Sequence, residues 1–177
     1  MRLLDDVVAA LRAADITHAV IGAAAMAAHG VSRATADVDL LTTDSRALLE
    51  STWTLISDRS AVDIRKGGDD DPLAGVVRIS GRGELDVDVI VGNRTWQHDC
   101  VSRARPPATG GPPIVRSEDL VLLKLYAGGP QDAWDIHQLL ALPDGSALVA
   151  GIDELVTVLP SDAQALWQRI RAERRTS

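Results

Sequence analysis

The chain has 177 residues, 46% hydrophobic and 24% charged, which fits one folded domain, with or without a helical extension, and excludes a disordered chain. Its net charge of −7 at pH 7 excludes a general nucleic-acid binder, because such a protein needs a basic surface to displace counterions from phosphates. Cys100 is the single cysteine, which excludes an internal disulfide and a cysteine-based zinc site.

Hydrophobic spacing predicts the elements of the first half of the chain. The predicted helices there cover 3–11, 23–29 and 45–56, the last with Ser45 as its N-cap. The predicted strands cover 18–21, 37–41 and 62–65. The start of the chain lacks the apolar stretch of a signal peptide, and the apolar run 19–28 is too short to span a bilayer. We therefore expect a cytoplasmic protein that does not associate with membranes.

The second half begins with a predicted β-hairpin, in which strands over 76–80 and 84–91 flank Gly81-Arg-Gly83. The predicted helices that follow cover 93–101, 117–126, 131–142, 152–159 and 161–174, with Ser117 as the N-cap of the helix over 117–126. A turn-rich linker over 106–113 separates a core of residues 1–105 from a helical region of residues 106–177, which we expect to pack as one compact unit. This order predicts an α+β fold with a mixed β-sheet flanked by helices.

Asp37-Val-Asp39 is the sequence feature that indicates chemistry. Residues two apart on a strand point to the same face, with a rise of roughly 3.3 Å per residue, so both carboxylates face one small volume. Like charges this close repel each other unless a cation lies between them, and Mg²⁺ and Mn²⁺ are hard cations that prefer oxygen ligands. The motif predicts a divalent-metal site, and the alternative is a solvated, exposed strand face.

Three neighbouring segments strengthen the prediction of a metal site. Glu84-Leu-Asp-Val-Asp88 alternates in the same way, and Asp88 is the first choice for a third carboxylate, with Asp86 as the alternative. Gly22 lies between a predicted strand and a predicted helix, where free backbone N–H groups suit a triphosphate. Arg33 precedes the acidic strand and is a candidate for a phosphate contact or for a surface salt bridge.

The residues around these motifs resemble a known superfamily. Ile21-Gly-Ala, a spacer of thirteen residues and Asp37-Val-Asp-Leu40 are similar to the signature of the DNA polymerase β-like nucleotidyltransferases. The run from Val20 to Asp39 resembles the small bacterial nucleotidyltransferases that include the AbiEii and MenT-type toxins. Ser117-Glu-Asp-Leu-Val-Leu-Leu-Lys-Leu125 and Gln131-Asp-Ala-Trp-Asp-Ile136 resemble their downstream lysine and aspartate motifs. The likeness extends from about residue 20 to residue 140.

The resemblance implies the nucleotidyltransferase fold and a role for each matching residue in the sheet region. Asp37 and Asp39 would hold Mg²⁺ or Mn²⁺, and Asp88 would be the third carboxylate. Gly22 and Ala23 would face the triphosphate of a nucleoside triphosphate. Ala23 stands where the superfamily usually has Gly or Ser, so the hydroxyl that commonly touches phosphate there is missing.

The resemblance also implies roles for residues of the helical region. Lys124 would contact the nucleotide or support the active site electrostatically. Asp132 or Asp135 would be the acid that follows this lysine in the family.

The reaction implied by the resemblance is transfer of a nucleoside monophosphate from the triphosphate to an acceptor hydroxyl. The likeness to toxins implies the end of a tRNA as acceptor, contacted by the basic segments 103–105 and 169–175, and a cognate antitoxin as protein partner. The acidic net charge favours a small molecule, such as an antibiotic hydroxyl. The alternative is a catalytically weak or inactive antitoxin-like binding module of the same fold, which Ala23 leaves open. An Asp-x-Asp glycosyltransferase is a further alternative that the short chain disfavours.

Overall fold

A computed structural model describes residues 3–32, 35–68 and 70–176, with side chains up to Arg174. Its α-helices are α1 (Leu3–Ala13), α2 (Gly22–Ala28), α3 (Thr95–Arg103), α4 (Ser117–Ala127), α5 (Pro130–Leu140), α6 (Gly145–Leu155) and α7 (Ser161–Thr176). Its strands are β1 (Ala19–Val20), β2 (Asp37–Thr42), β3 (Ala61–Lys66), β4 (Leu73–Ser80) and β5 (Asp86–Gly92). Within these described ranges, every helix is too short or too polar to cross a membrane.

The described strands form a five-stranded sheet in the order β1-β2-β5-β4-β3. β2 and β5 are parallel, whereas the other neighbouring strands are antiparallel, so the predicted mixed sheet is confirmed. In the parallel pair Asp37 lies opposite Asp86, and Asp39 lies opposite Asp88. Because residues in register share a face of the sheet, the acidic side chains of β2 and β5 lie on the same face.

The other face of β2 and β5 is apolar. Leu40, Val87 and Val89 alternate with the acidic residues, and each is fully buried. Helix α1 packs against β5 and buries Val7 and Leu11. This burial fixes the register of the strands, because a slip of one residue would turn the acidic side chains into the core.

The α-helix predicted over 45–56 is wrong, because two short 3₁₀ helices, Ser45–Leu48 and Glu50–Trp53, occupy this segment. Leu49 between them has an extended backbone. Two side chains donate hydrogen bonds to backbone carbonyl groups that would accept from backbone N–H groups in an α-helix. Thr52 Oγ1 donates to the Arg46 carbonyl at 2.7 Å, and Trp53 Nε1 donates to the Ala47 carbonyl at 2.8 Å.

The caps of two predicted helices also differ from the sequence-based expectation. Asp44, and not Ser45, caps the first 3₁₀ helix, because its Oδ1 accepts from the Arg46 N–H at 2.9 Å. Ser117 is the first residue of α4, and Arg116 takes the capping position. Helix α6 begins at Gly145 and not at residue 152.

Contacts divide the chain into two compact units, Met1–Ala25 with Arg33–Val115 and Met26–Ser32 with Arg116–Ser177. The first unit contains the sheet, α1 and α3. In the second unit α4 contacts α5, α6 and α7, and it buries Leu120, Val121, Leu122 and Leu125. The assignment of residues 1–105 to a catalytic core and of 106–177 to a helical region stays a prediction.

Candidate functional site

Three carboxylates converge on the polar face of the sheet. One oxygen atom from each of Asp37, Asp39 and Asp88 lies within 4.8 Å of the other two. Asp39 and Asp88 are register partners, and Asp37 precedes Asp39 by two residues on the same face. Of the two candidates for a third carboxylate, the structure brings Asp88 into this acidic group and leaves Asp86 outside it.

Thr35 orients the first of these carboxylates, a role that the sequence reasoning missed. Its Oγ1 lies 2.7 Å from Asp37 Oδ1 and 2.9 Å from the Asp37 carbonyl oxygen. The Thr35 hydroxyl therefore donates a hydrogen bond to the Asp37 carboxylate and restrains that side chain at the start of β2. A hydroxyl two residues before an acidic strand is typical of the short local turns that Thr forms, and this is the signal available in the sequence.

Arg78 on β4 pairs with the third carboxylate and was also missed. Its Nε donates to Asp88 Oδ1 at 2.8 Å, and its Nη2 donates to Asp88 Oδ2 at 2.6 Å. The same Nη2 lies 4.0 Å from Asp37 Oδ2. The hydrogen bonds to Asp88, and then the charge of Asp88, raise the pKa of Arg78 above its usual value. Arg78 thus places a permanent positive charge beside the acidic group.

Gly22 is the residue against which the Asp39 carboxylate packs. Its φ is +61°, a left-handed conformation that residues with a side chain rarely adopt. A Cβ atom at this position would overlap Asp39 Oδ2 and lie 2.9 Å from Asp39 Cγ. The Ile21 N–H donates to the Asp39 carbonyl at 2.9 Å, which ties this turn to β2. The predicted phosphate-binding turn at Gly22 and Ala23 therefore adjoins the acidic group, and its contact with a nucleotide stays a prediction.

Lys124, Asp132 and Asp135 form an ion-pair network within the second unit. Lys124 Nζ lies 2.5 Å from Asp135 Oδ2 and 3.2 Å from Asp132 Oδ1. The Lys124 side chain is 8% exposed and that of Asp135 is fully buried, so each charge depends on its partner. Gln131 Nε2 donates to Asp135 Oδ1 at 3.0 Å. The network ties α4 to α5, and a nucleotide contact by any of its three charged residues stays a prediction.

Three of the arginines proposed to contact RNA bind groups of this chain. Arg171 Nη2 lies 3.0 Å from Asp153 Oδ2, and Arg174 Nη1 donates to the Gly145 carbonyl at 2.8 Å. Arg105 Nη1 donates to the Ala104 carbonyl at 2.9 Å. Arg33, the predicted phosphate contact, lies outside the described residues. Arg105, Arg171 and Arg174 therefore make contacts within the chain, and an RNA contact by the basic segments stays a prediction.

The chemistry of the acidic group fits a divalent cation. All three donors are carboxylate oxygens, which are the ligands that Mg²⁺ and Mn²⁺ prefer. The three carboxylates lie close together, and a divalent ion between them would relieve the repulsion of their charges. Asp88 is 12% exposed and Asp37 is 36% exposed, so the group is open to solvent from the Asp37 side.

No family model matches the chain, and no curated protein matches it. Solved structures match it over most of its length. A proposed nucleotidyltransferase from H. pylori has a TM-score of 0.52 and 18% identity, covering 96% of this chain and 94% of its own. A proposed nucleotidyltransferase from Thermotoga maritima has a TM-score of 0.53 and 15% identity, covering 78% and 90%. ANT(2″)-Ia, solved with adenylyl-2″-tobramycin, has a TM-score of 0.50 and 14% identity, covering 97% of both chains. This chain has the nucleotidyltransferase fold.

The nucleotidyltransferase fold confirms the predicted fold class, including the mixed sheet and the flanking helices. At 14–18% identity these likenesses establish the fold alone. The closer resemblance to AbiEii and MenT-type proteins stays a prediction.

Proposed function

We propose that this chain is a metal-dependent nucleotidyltransferase, which transfers a nucleoside monophosphate from a nucleoside triphosphate to an acceptor hydroxyl. One observation carries the proposal: Asp37, Asp39 and Asp88 converge beside Gly22 in a chain with the nucleotidyltransferase fold. An acidic group alone is common on protein surfaces. Its position on register partners of a mixed sheet, against a glycine that admits no side chain, supports a functional site.

In the proposed reaction the acceptor oxygen bonds to the α-phosphorus, while the bond from that phosphorus to the leaving oxygen breaks and pyrophosphate departs. Asp37, Asp39 and Asp88 would hold Mg²⁺ or Mn²⁺, which neutralises phosphate charge and lowers the pKa of the acceptor hydroxyl when bound. The Asp88 carboxylate accepts the hydroxyl proton. Thr35 keeps the Asp37 carboxylate in place through its hydrogen bond at 2.7 Å.

The turn at Gly22 and Ala23 would receive the triphosphate. Gly22 lacks a side chain, so a phosphate can approach its backbone closely. Ala23 presents only its backbone N–H as a hydrogen-bond donor. Phosphate binding at this turn therefore relies on the peptide group, which predicts a weaker triphosphate affinity than a serine would give.

For the acceptor, charge favours a small molecule with a hydroxyl group. The chain carries a net charge of −7, and three of the arginines that would contact a tRNA end bind groups of this chain. A cationic antibiotic such as an aminoglycoside suits an acidic protein surface. ANT(2″)-Ia, one structure of similar fold, was solved with an adenylylated antibiotic, tobramycin. The end of a tRNA is the second candidate acceptor.

Radiolabelled transfer tests the proposal. The protein is incubated with Mg²⁺ or Mn²⁺ and each α-labelled nucleoside triphosphate, in parallel with an aminoglycoside panel and with total RNA. We expect label in one acceptor class, with release of pyrophosphate. If RNA becomes labelled and this labelling falls steeply at higher salt, the acceptor is a tRNA end and not a small molecule.

A matched pair of variants links the transfer to the acidic group. Asp88→Asn should lose transfer, whereas Asp86→Asn changes an acid of the same strand that lies outside the group and should retain it. Equal activity of both variants would contradict the assigned site. If no triphosphate binds and no acceptor class becomes labelled, the proposed activity fails and the non-catalytic binding module takes its place.

The resemblance to toxins adds a cellular test. If the chain is a toxin of this type, its induction in bacteria should stop growth, and co-expression of a cognate antitoxin should restore it. Growth should continue when Asp37 is replaced by Asn, because that variant lacks one carboxylate of the acidic group. Arrest that persists with this variant would separate toxicity from nucleotidyl transfer.

A further inference from the structure

Arg78 occupies both oxygens of the third carboxylate, and this contact has a consequence for metal binding. Its guanidinium makes two parallel hydrogen bonds to Asp88, at 2.8 Å and 2.6 Å, which is the bidentate geometry of the strongest arginine–carboxylate pairs. The same group lies 4.0 Å from Asp37 Oδ2. We propose that Arg78 is an internal counter-ion of the metal-free site, and that a divalent cation displaces it from Asp88. This inference rests on the metal site of the proposed function.

The position of Arg78 indicates an electrostatic role and not a packing role. On β4 its neighbours Val77 and Ile79 are fully buried, whereas the Arg78 side chain is 49% exposed. It is the register partner of Asp88 on the adjacent strand, so the fold itself places a cation against the acidic group. Among the described residues Arg78 is the cation paired with Asp88, and its loss would increase the repulsion between this carboxylate and its acidic neighbours.

A divalent cation would bind a carboxylate oxygen of Asp88, and Arg78 donates a hydrogen bond to each of the two oxygens. A permanent positive charge beside the metal position repels the incoming ion, so retention of the Arg78–Asp88 pair would weaken metal binding. Arg78 also lines a cleft of about 350 Å³, together with Arg65 and Lys66 of β3. The cleft gives the guanidinium a solvated place to occupy once it leaves Asp88. The bound ion would thus replace the contact that Arg78 makes with Asp88.

Electron paramagnetic resonance of free Mn²⁺ measures the Mn²⁺ affinity of each variant, with thermal unfolding of the metal-free protein as a second readout. We expect Arg78→Met to bind Mn²⁺ about tenfold more tightly than the wild type, because the competing charge is gone. The metal-free variant should unfold at a lower temperature, and Mn²⁺ should raise its unfolding temperature more than it raises that of the wild type.

Two further variants separate charge from structure. Arg78→Lys keeps the positive charge and should bind Mn²⁺ as the wild type does. Arg65→Met removes an arginine of the same cleft that pairs with Asp63 and not with the acidic group, so its Mn²⁺ affinity should be unchanged. Circular dichroism of each variant confirms that it is folded.

Unchanged or weaker Mn²⁺ binding by folded Arg78→Met, beside a wild type that binds Mn²⁺, would overturn the inference and leave the metal site intact. If neither protein binds Mn²⁺, the metal site and the inference fail together. Nucleotidyl transfer is not part of either readout, so absence of the proposed reaction does not affect the result.

Discussion

Replacing Gly22 by alanine adds one methyl group at the point where the turn before α2 touches the acidic group. The φ of +61° places this residue in the left-handed region, which costs an alanine roughly 1–2 kcal/mol. The new Cβ would lie 2.9 Å from Asp39 Cγ, whereas carbon atoms in comfortable contact are about 3.5 Å apart. Cγ would therefore have to move by about 0.6 Å, the difference between these two separations.

A shift of this size affects metal binding more than it affects folding. Metal–oxygen distances are held to about 0.2 Å, and catalytic groups to about 0.5 Å. We therefore expect Gly22→Ala to lose about a hundredfold in Mn²⁺ affinity and in nucleotidyl transfer. The backbone strain alone should lower the unfolding temperature by roughly 2–8 °C, at about 2–4 °C for each kcal/mol in a chain of this length.

Gly83→Ala is the matched control for this experiment. Gly83 also has a positive φ, +74°, but nothing lies within 4 Å of the position its Cβ would take. It should show the same backbone penalty in thermal unfolding and keep normal Mn²⁺ affinity, measured by titration calorimetry. Wild-type metal affinity and transfer in Gly22→Ala would refute the reasoning, because the Asp39 carboxylate would then be free to move without consequence.

Three other predictions address single groups. Asp88→Asn should reduce the initial rate of nucleotidyl transfer by at least about a thousandfold, whereas Asp86→Asn should reduce it by less than about threefold. Similar rates for the two variants would exclude Asp88 as a member of the site. Thr35→Val should reduce the rate of transfer about tenfold, because it removes the hydroxyl that restrains Asp37. Thr35→Ser keeps a hydroxyl and should transfer at a near-normal rate. A valine variant with the wild-type rate would contradict this role. Burial lowers the pKa of His18 below its usual 6.5, so the unfolded chain binds a proton that the folded chain resists, and stability should fall as pH falls below about 6.5. Urea unfolding at about pH 7.5 and 5.5 should show a smaller loss for His18→Leu than for the wild type, and equal losses would rule out this residue as the cause.

The acidic strands were predictable because their sequence pattern and their environment agree. Asp37-Val-Asp39 and Asp86-Val-Asp88 alternate acids with apolar residues, and a sheet with one apolar face admits a single orientation for such strands. The sequence could not reveal that β2 and β5 pair in register, because the partners Asp37 and Asp86 are 49 positions apart in the chain and come together only in the sheet.

The partner of Asp88 was not predictable because it depends on the length of a turn. A three-residue turn over 81–83 would pair Ser80 with Glu84 and would place Arg78 opposite Asp86. The observed loop covers five residues, 81–85, and places Arg78 opposite Asp88. Local composition suits either register, because the two registers differ by two residues and leave Val87 and Val89 on the same face of the sheet.

Contacts made by individual side chains explain why other features were not predicted from the sequence. Over 45–56 the hydrophobic spacing is helical, but Thr52 and Trp53 bond carbonyl groups of the preceding turn and Leu49 is extended. The sequence around Lys124 also did not reveal the partner of this lysine. Its ammonium pairs with a buried acid of the next helix, eleven residues away, a contact that periodicity does not encode.

Anomalous X-ray scattering from crystals grown with Mn²⁺ and a non-hydrolysable nucleoside triphosphate tests the central claim most directly. The account predicts a manganese peak within about 2.3 Å of carboxylate oxygens from Asp37, Asp39 and Asp88, with the triphosphate beside Gly22. A triphosphate bound with its manganese elsewhere, and no peak among these three carboxylates, would contradict it.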